Sequence, residues 1–135
     1  MGNEIAGDDG VGIYIGKRLR GLIKGWDVKC SDKAGFYLIE EMEGYDEVVL
    51  VDSLVVREGR VGEIVEGYIQ EGTAGTSPHS LSISQSLSLG RALGLKIPRK
   101  VKFFAITIPP PSLGEGLSPT VKEAAEKIIS LLSLL

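Results

Sequence analysis

The chain has 135 residues, 43% hydrophobic content and a charged fraction of 24%, enough apolar material for one sizeable core and little more, so a single domain is expected. Fifteen Lys plus Arg against eighteen Asp plus Glu give a net charge of −3, and no global positive field favours nucleic acid. The single cysteine, Cys30, excludes an intramolecular disulfide and a four-cysteine zinc site, which fits a reducing compartment with the cytosol as default.

The amino terminus, Met1 to Gly10, is polar and acidic where a secretion signal needs a basic stretch and an apolar run. Ala6 stands where myristoylation needs Ser or Thr. The apolar tail, Ile128 to Leu135, is too short to span a bilayer.

The loop from Gly2 to Gly12 sets three acids, Glu4, Asp8 and Asp9, among four glycines. From Val11 to Ile23 the apolar residues Val11, Ile15, Leu19, Leu22 and Ile23 alternate with Lys17, Arg18, Arg20 and Lys24, which is the spacing of an amphipathic helix. Trp26–Cys30 reads as a short strand and Phe36–Glu43 as a second helix stopped by Gly44. Glu47–Ser53 is a continuous β-branched run, the pattern of a strand buried on both faces.

A turn from Gly59 to Gly62 leads into a further strand, Glu63–Gln70. Between Leu81 and Leu89 the leucines and Ile83 fall at period two among serines, while the flanking residues frame a helix, so periodicity alone leaves that segment open. Val101–Ile108 is a strongly apolar strand ended by Pro109 to Pro111. Ser118-Pro119 supplies an N-cap and an N1 proline for a last helix to about Leu132.

Strands alternating with helices predict a mostly parallel sheet with helices on both faces, and in such folds ligands sit beyond the carboxyl ends of the strands. No strand precedes the first helix, so the start reads as a shortened α/β unit.

Three residues stand out. Asp9 lies in the acidic loop, where a carboxylate can simply favour the positive end of the following helix. The loop is no phosphate cradle: it lacks a Gly-Lys-Ser/Thr and the third glycine of a dinucleotide fingerprint. Asp52 closes the apolar run Val48–Val51 and is expected at the carboxyl edge of the sheet, where an acid is catalytic or a turn former. His79, the only histidine, follows Ser77-Pro78 at the start of a helix, a position that disfavours imidazolium and keeps a nitrogen ready for metal; the alternative is a capping residue.

Two carboxylates and one imidazole from loops at one sheet edge could form a facial site for a divalent transition ion. Other mechanisms have less support. No Gly-x-Ser-x-Gly elbow is present, Cys30 and His79 lack a nucleophile signature, and an Asp9–Asp52 dyad of the aspartic-protease kind leaves His79 without a role.

Gly2-Asn3 with Asp8-Asp9-Gly10-x-Gly12, the strand ending in Asp52, Ser77-Pro78-His79 and Leu117-Ser118-Pro119-x-Val121 resemble, in order and spacing, the endopeptidases that mature nickel-iron hydrogenases. The resemblance implies a three-layer α/β/α fold with a twisted, mostly parallel sheet, and a helix rather than a strand over the serine-rich segment. It implies an enzyme that removes the carboxyl-terminal extension of a hydrogenase large-subunit precursor after nickel insertion. Asp9, where many members have Glu, would join Asp52 and His79 as metal-binding positions, with nickel brought by the substrate.

Members carry a hydrophobic first strand ending in Gly-x-Gly-Asn, of which Gly2-Asn3 remains here. Many also have an acidic loop aligned with Cys30-Ser31-Asp32-Lys33. The family implies a monomer, although a missing strand would open the sheet to pairing with another chain. Two other readings are a metal-sensing chaperone that binds the large subunit without cutting it and a hydrolase of the spore-protease type.

Overall fold

The computed structural model describes residues 10–31, 36–70, 78–110 and 116–134, the side chains of 78–82 excepted. Among the described residues seven elements follow one another: α1 (Val11–Leu19), α2 (Phe36–Met42), β1 (Glu47–Val55), β2 (Ile64–Ile69), α3 (Pro78–Ala92), β3 (Lys100–Ile108) and α4 (Pro119–Leu132). The fold is α/β, as the alternation of periods predicted. The serine-rich segment is helical, and α3 opens on Pro78, whose fixed φ and missing N–H suit the first helical position.

The sheet has the order β1-β3-β2. At one end of the β1/β3 pair the Arg99 N–H donates to the Asp46 carbonyl, and at the other the Val56 N–H donates to the Ile108 carbonyl, so these strands are parallel. β2 runs antiparallel to β3: the Thr107 N–H donates to the Glu63 carbonyl, while Gly67, further along β2, lies against Phe103. Among the described strands the sheet is therefore mixed, with one parallel and one antiparallel pair. β3 is central, and six of its last seven residues, Phe103 to Ile108, are buried without alternation, the signature of a strand covered on both faces.

Three boundaries differ from the sequence reading. α1 stops at Leu19 instead of Ile23 because the chain turns through Gly21 at φ 86°, and Leu22, which continues the apolar spacing of the helix, is 54% exposed. Trp26–Cys30 forms no strand, and β1 continues past Ser53 to Val55. Ser118 occupies the N-cap of α4 without a side-chain cap hydrogen bond, so Pro119 is the stronger of the two start signals.

The chain divides into two compact units. The first contains α1, the carboxyl-terminal parts of β1 and β3, the start of β2, and α4. Here α1 buries Val11, Ile15 and Leu19 at helical spacing, and α4 buries Val121, Ala125, Ile128, Ile129 and Leu132. Each large aliphatic among them contributes about 1.5–3 kcal/mol on burial. The two helices pack on one another.

At the rim of that contact the Tyr14 hydroxyl donates to Glu126 Oε1 (2.7 Å), and Arg18 Nη1 donates to the same oxygen (2.6 Å) and to the Tyr14 hydroxyl (3.0 Å). The hydrogen bond from Tyr14, then that from Arg18, holds the Glu126 carboxyl below its usual range. The same bond to Glu126 raises the Tyr14 hydroxyl above its own. Cys30 is tucked beneath α1, where Gly16 makes room for it: a Cβ on Gly16 would stand 2.8 Å from Cys30 Sγ.

The second unit contains α2, α3, the amino-terminal parts of β1 and β3, and the rest of β2. α2 and α3 pack together through Gly90, whose missing side chain lets Ile39 and Ile97 close in; an added Cβ would meet them at 3.4 and 3.1 Å. The buried Ser84 hydroxyl donates to the Gln70 carbonyl (2.5 Å), anchoring α3 to the end of β2. Among the described residues no helix is long and apolar enough to cross a membrane.

Candidate functional site

Asp52 lies on β1, three residues before the strand ends at Val55. The apolar run before it places it in the carboxyl-terminal part of the strand as expected, yet within the ladder instead of at its edge. It is half-buried, and its Oδ1 accepts the N–H of the buried Ser53 at 2.8 Å. That bond steadies one carboxylate oxygen against the strand's own backbone.

His79 is the second residue of α3, so its backbone is in the first turn of a 15-residue helix, as Ser77-Pro78 predicted; its side chain lies outside the described residues. Asp9 also lies outside them, immediately before Gly10, the N-cap of α1, and so does Asp32. Among the described side chains no three His, Cys, Asp or Glu gather as a metal-binding group, a set that contains Asp52 but neither Asp9 nor the imidazole of His79.

Cys30 is half-buried, and its Sγ is 3.9 Å from the carbonyl of Ile13. It packs as a small apolar side chain with a weak donor, as most free cysteines do.

The feature the sequence reading passed over is the connection after β1. Because β1 and β3 are parallel and β2 returns antiparallel, residues 56–63 lie at the carboxyl ends of β1 and β3. The hydroxyl of Thr107, a residue only 4% exposed, donates to the Arg60 carbonyl (2.6 Å) and accepts the Glu63 N–H (2.8 Å). The Gly62 N–H donates to the Thr107 carbonyl at 2.7 Å. Gly62 has φ 85° and presses on Thr120 at the start of α4, leaving no space for a Cβ. A lone threonine in the apolar run Val101–Ile108 was the available clue, since a buried hydroxyl needs a partner.

No protein-family model matches the sequence, and no curated protein matches it. Solved structures do. The hydrogenase maturating endopeptidase HybD from E. coli is similar at 23% identity and a TM-score of 0.77, over 97% of this chain and 85% of that one. The [NiFe] hydrogenase maturation protease HybD from Thermococcus kodakarensis gives 24% identity and a TM-score of 0.72, over 98% and 93%. A hydrogenase 2 maturation peptidase from a Thaumarchaeota archaeon gives 22% and 0.65, over 97% and 90%. The chain thus has the fold of these proteins along nearly its whole length.

Proposed function

We propose that this chain is an endopeptidase that removes the carboxyl-terminal extension of a nickel-iron hydrogenase large-subunit precursor after nickel insertion. The observation that carries the reading is the likeness in fold, over 97% of this chain, to the E. coli hydrogenase maturating endopeptidase. The sequence motifs around Asp9, Asp52 and His79 resemble those of the family in order and spacing, which supports the same reading.

In this reading Asp9, Asp52 and His79 are the metal-binding and catalytic residues. Nickel belongs to the substrate, and it acts there as a Lewis acid or as an anchor. Water adds to the scissile carbonyl, and the proton it releases must reach the leaving amine. Asp52, a half-buried carboxylate on a fixed strand, is of the right chemical type to carry that proton. The protein works as a monomer in the cytoplasm.

The experiment is to incubate the purified chain with nickel-loaded precursor and to repeat it with Asp52→Asn and His79→Ala. Wild type should release the extension, and each variant should lose at least about a hundredfold in rate, the scale of one general acid–base group. Equal processing by either variant would remove that residue from the site. A stable complex with uncut precursor would point instead to a binding module that senses metal without cutting.

A further inference from the structure

We propose that Arg60 is a binding residue for a carboxylate of the peptide substrate, presented at the carboxyl ends of β1 and β3. The inference rests on the endopeptidase reading and adds to it the means of gripping the substrate chain.

An exposed arginine on a surface connection is ordinarily a solvated charge on a mobile stem. Arg60 differs in how its backbone is held. Its carbonyl is fixed by the buried Thr107 hydroxyl at 2.6 Å, and Thr107 also accepts from the Gly62 and Glu63 amides at 2.7 and 2.8 Å. Gly62, in a left-handed conformation at φ 85°, is wedged against Thr120. The turn is therefore clamped by β3 and by α4.

The side chain on this fixed turn is 87% exposed. Its approach to Glu63, Nε to Oε1 at 3.8 Å, exceeds hydrogen-bond range, and the Glu63 side chain is itself 54% exposed. Such a pair is screened and competes weakly for the guanidinium. Asp52 lies three residues before the end of β1, and the Arg60 turn lies beyond that same end.

A planar guanidinium pairs with a carboxylate through two parallel bonds, and a fixed backbone reduces the entropy lost in forming them. A polypeptide offers two such carboxylates: its free carboxyl terminus and its acidic side chains. The removed extension carries the chain's carboxyl terminus, which makes the terminal group the natural first probe.

The test uses the full chain and synthetic peptides of the extension sequence, in three forms: free acid, carboxyl-terminal amide, and a form with every Asp and Glu replaced by its amide. Binding is read by calorimetry. Against wild type the free acid should bind roughly tenfold tighter than one of the two amidated forms, the yield of one charge-assisted pair. Whichever form loses affinity names the carboxylate.

Arg60→Ala should abolish the difference, Arg60→Lys should keep part of it, and Arg57→Ala, on the same connection, should keep all of it. Thermal melting of Arg60→Ala should match wild type, because the bond to Thr107 uses the backbone carbonyl. A preference that survives Arg60→Ala, an equal loss in Arg57→Ala, or no preference in wild type would overturn the proposal. Precursor processing is scored separately: processing without the Arg60-dependent preference sinks this inference alone, whereas the preference without processing sinks the enzyme reading and leaves the carboxylate site.

Discussion

Thr107 shows how much one side chain can set. Its hydroxyl serves as donor to Arg60 and acceptor for Glu63 from a position that water does not reach. Thr107→Val keeps the shape but removes both bonds and leaves the Arg60 carbonyl and the Glu63 N–H without them, so about 1–3 kcal/mol of stability should be lost. A lower urea midpoint at unchanged slope would register it, and Thr107→Ser should recover most of the loss. The residue could be picked out in the sequence as a polar interruption, but its partners could not, because Arg60 and Glu63 are distant in the chain. Asp52 was easier: an acid after four consecutive aliphatics marks itself. Its place inside the ladder was not legible, since the run continues through Leu54 and Val55 and apolar pattern alone cannot say where pairing stops. For Asp9 and His79 the sequence supplies chemistry and order, and the backbone of α3 adds only that His79 is in a first helical turn.

At the level of elements, hydrophobic period located the helices and the main strands, and it failed where a backbone torsion decided. Leu22 and Ile23 continue the apolar stripe of α1, yet Gly21 at φ 86° ends the helix first. The serine-rich segment was expected to be a helix from the resemblance and is one, although its period-two leucines suit a strand as well as a helix. The contact of α1 with α4 carries a pH dependence whose sign follows from the Glu126 carboxyl. Its value in the folded chain is lowered by the bonds from Tyr14 and Arg18. Its contribution is therefore present above the ordinary carboxylate range and fades as pH falls through the lowered value. Melting temperature followed against pH should show wild type ahead of Glu126→Gln near neutrality and the gap closing in acid. High salt should narrow the gap at every pH, since the pair is exposed.

Across the whole molecule, the α/β class was readable from alternating elements, whereas the antiparallel return of β2 was not. The connection 56–63 held the answer: a parallel crossover needs about a dozen residues or more, so a shorter link returns the next strand antiparallel. Composition had a second use beyond excluding a disulfide. With a single thiol in the chain, every alkylation event occurs at one known place, under α1 and against Gly16. A bulky maleimide should therefore react with native Cys30 more slowly than with a free thiol, and faster as denaturant lifts the helix. Gly16→Ala, which would set a methyl group 2.8 Å from the sulfur, should quicken the reaction without any denaturant. The protein thus carries a native chemical clock for the seating of its first helix, readable by mass spectrometry with no label engineered into it.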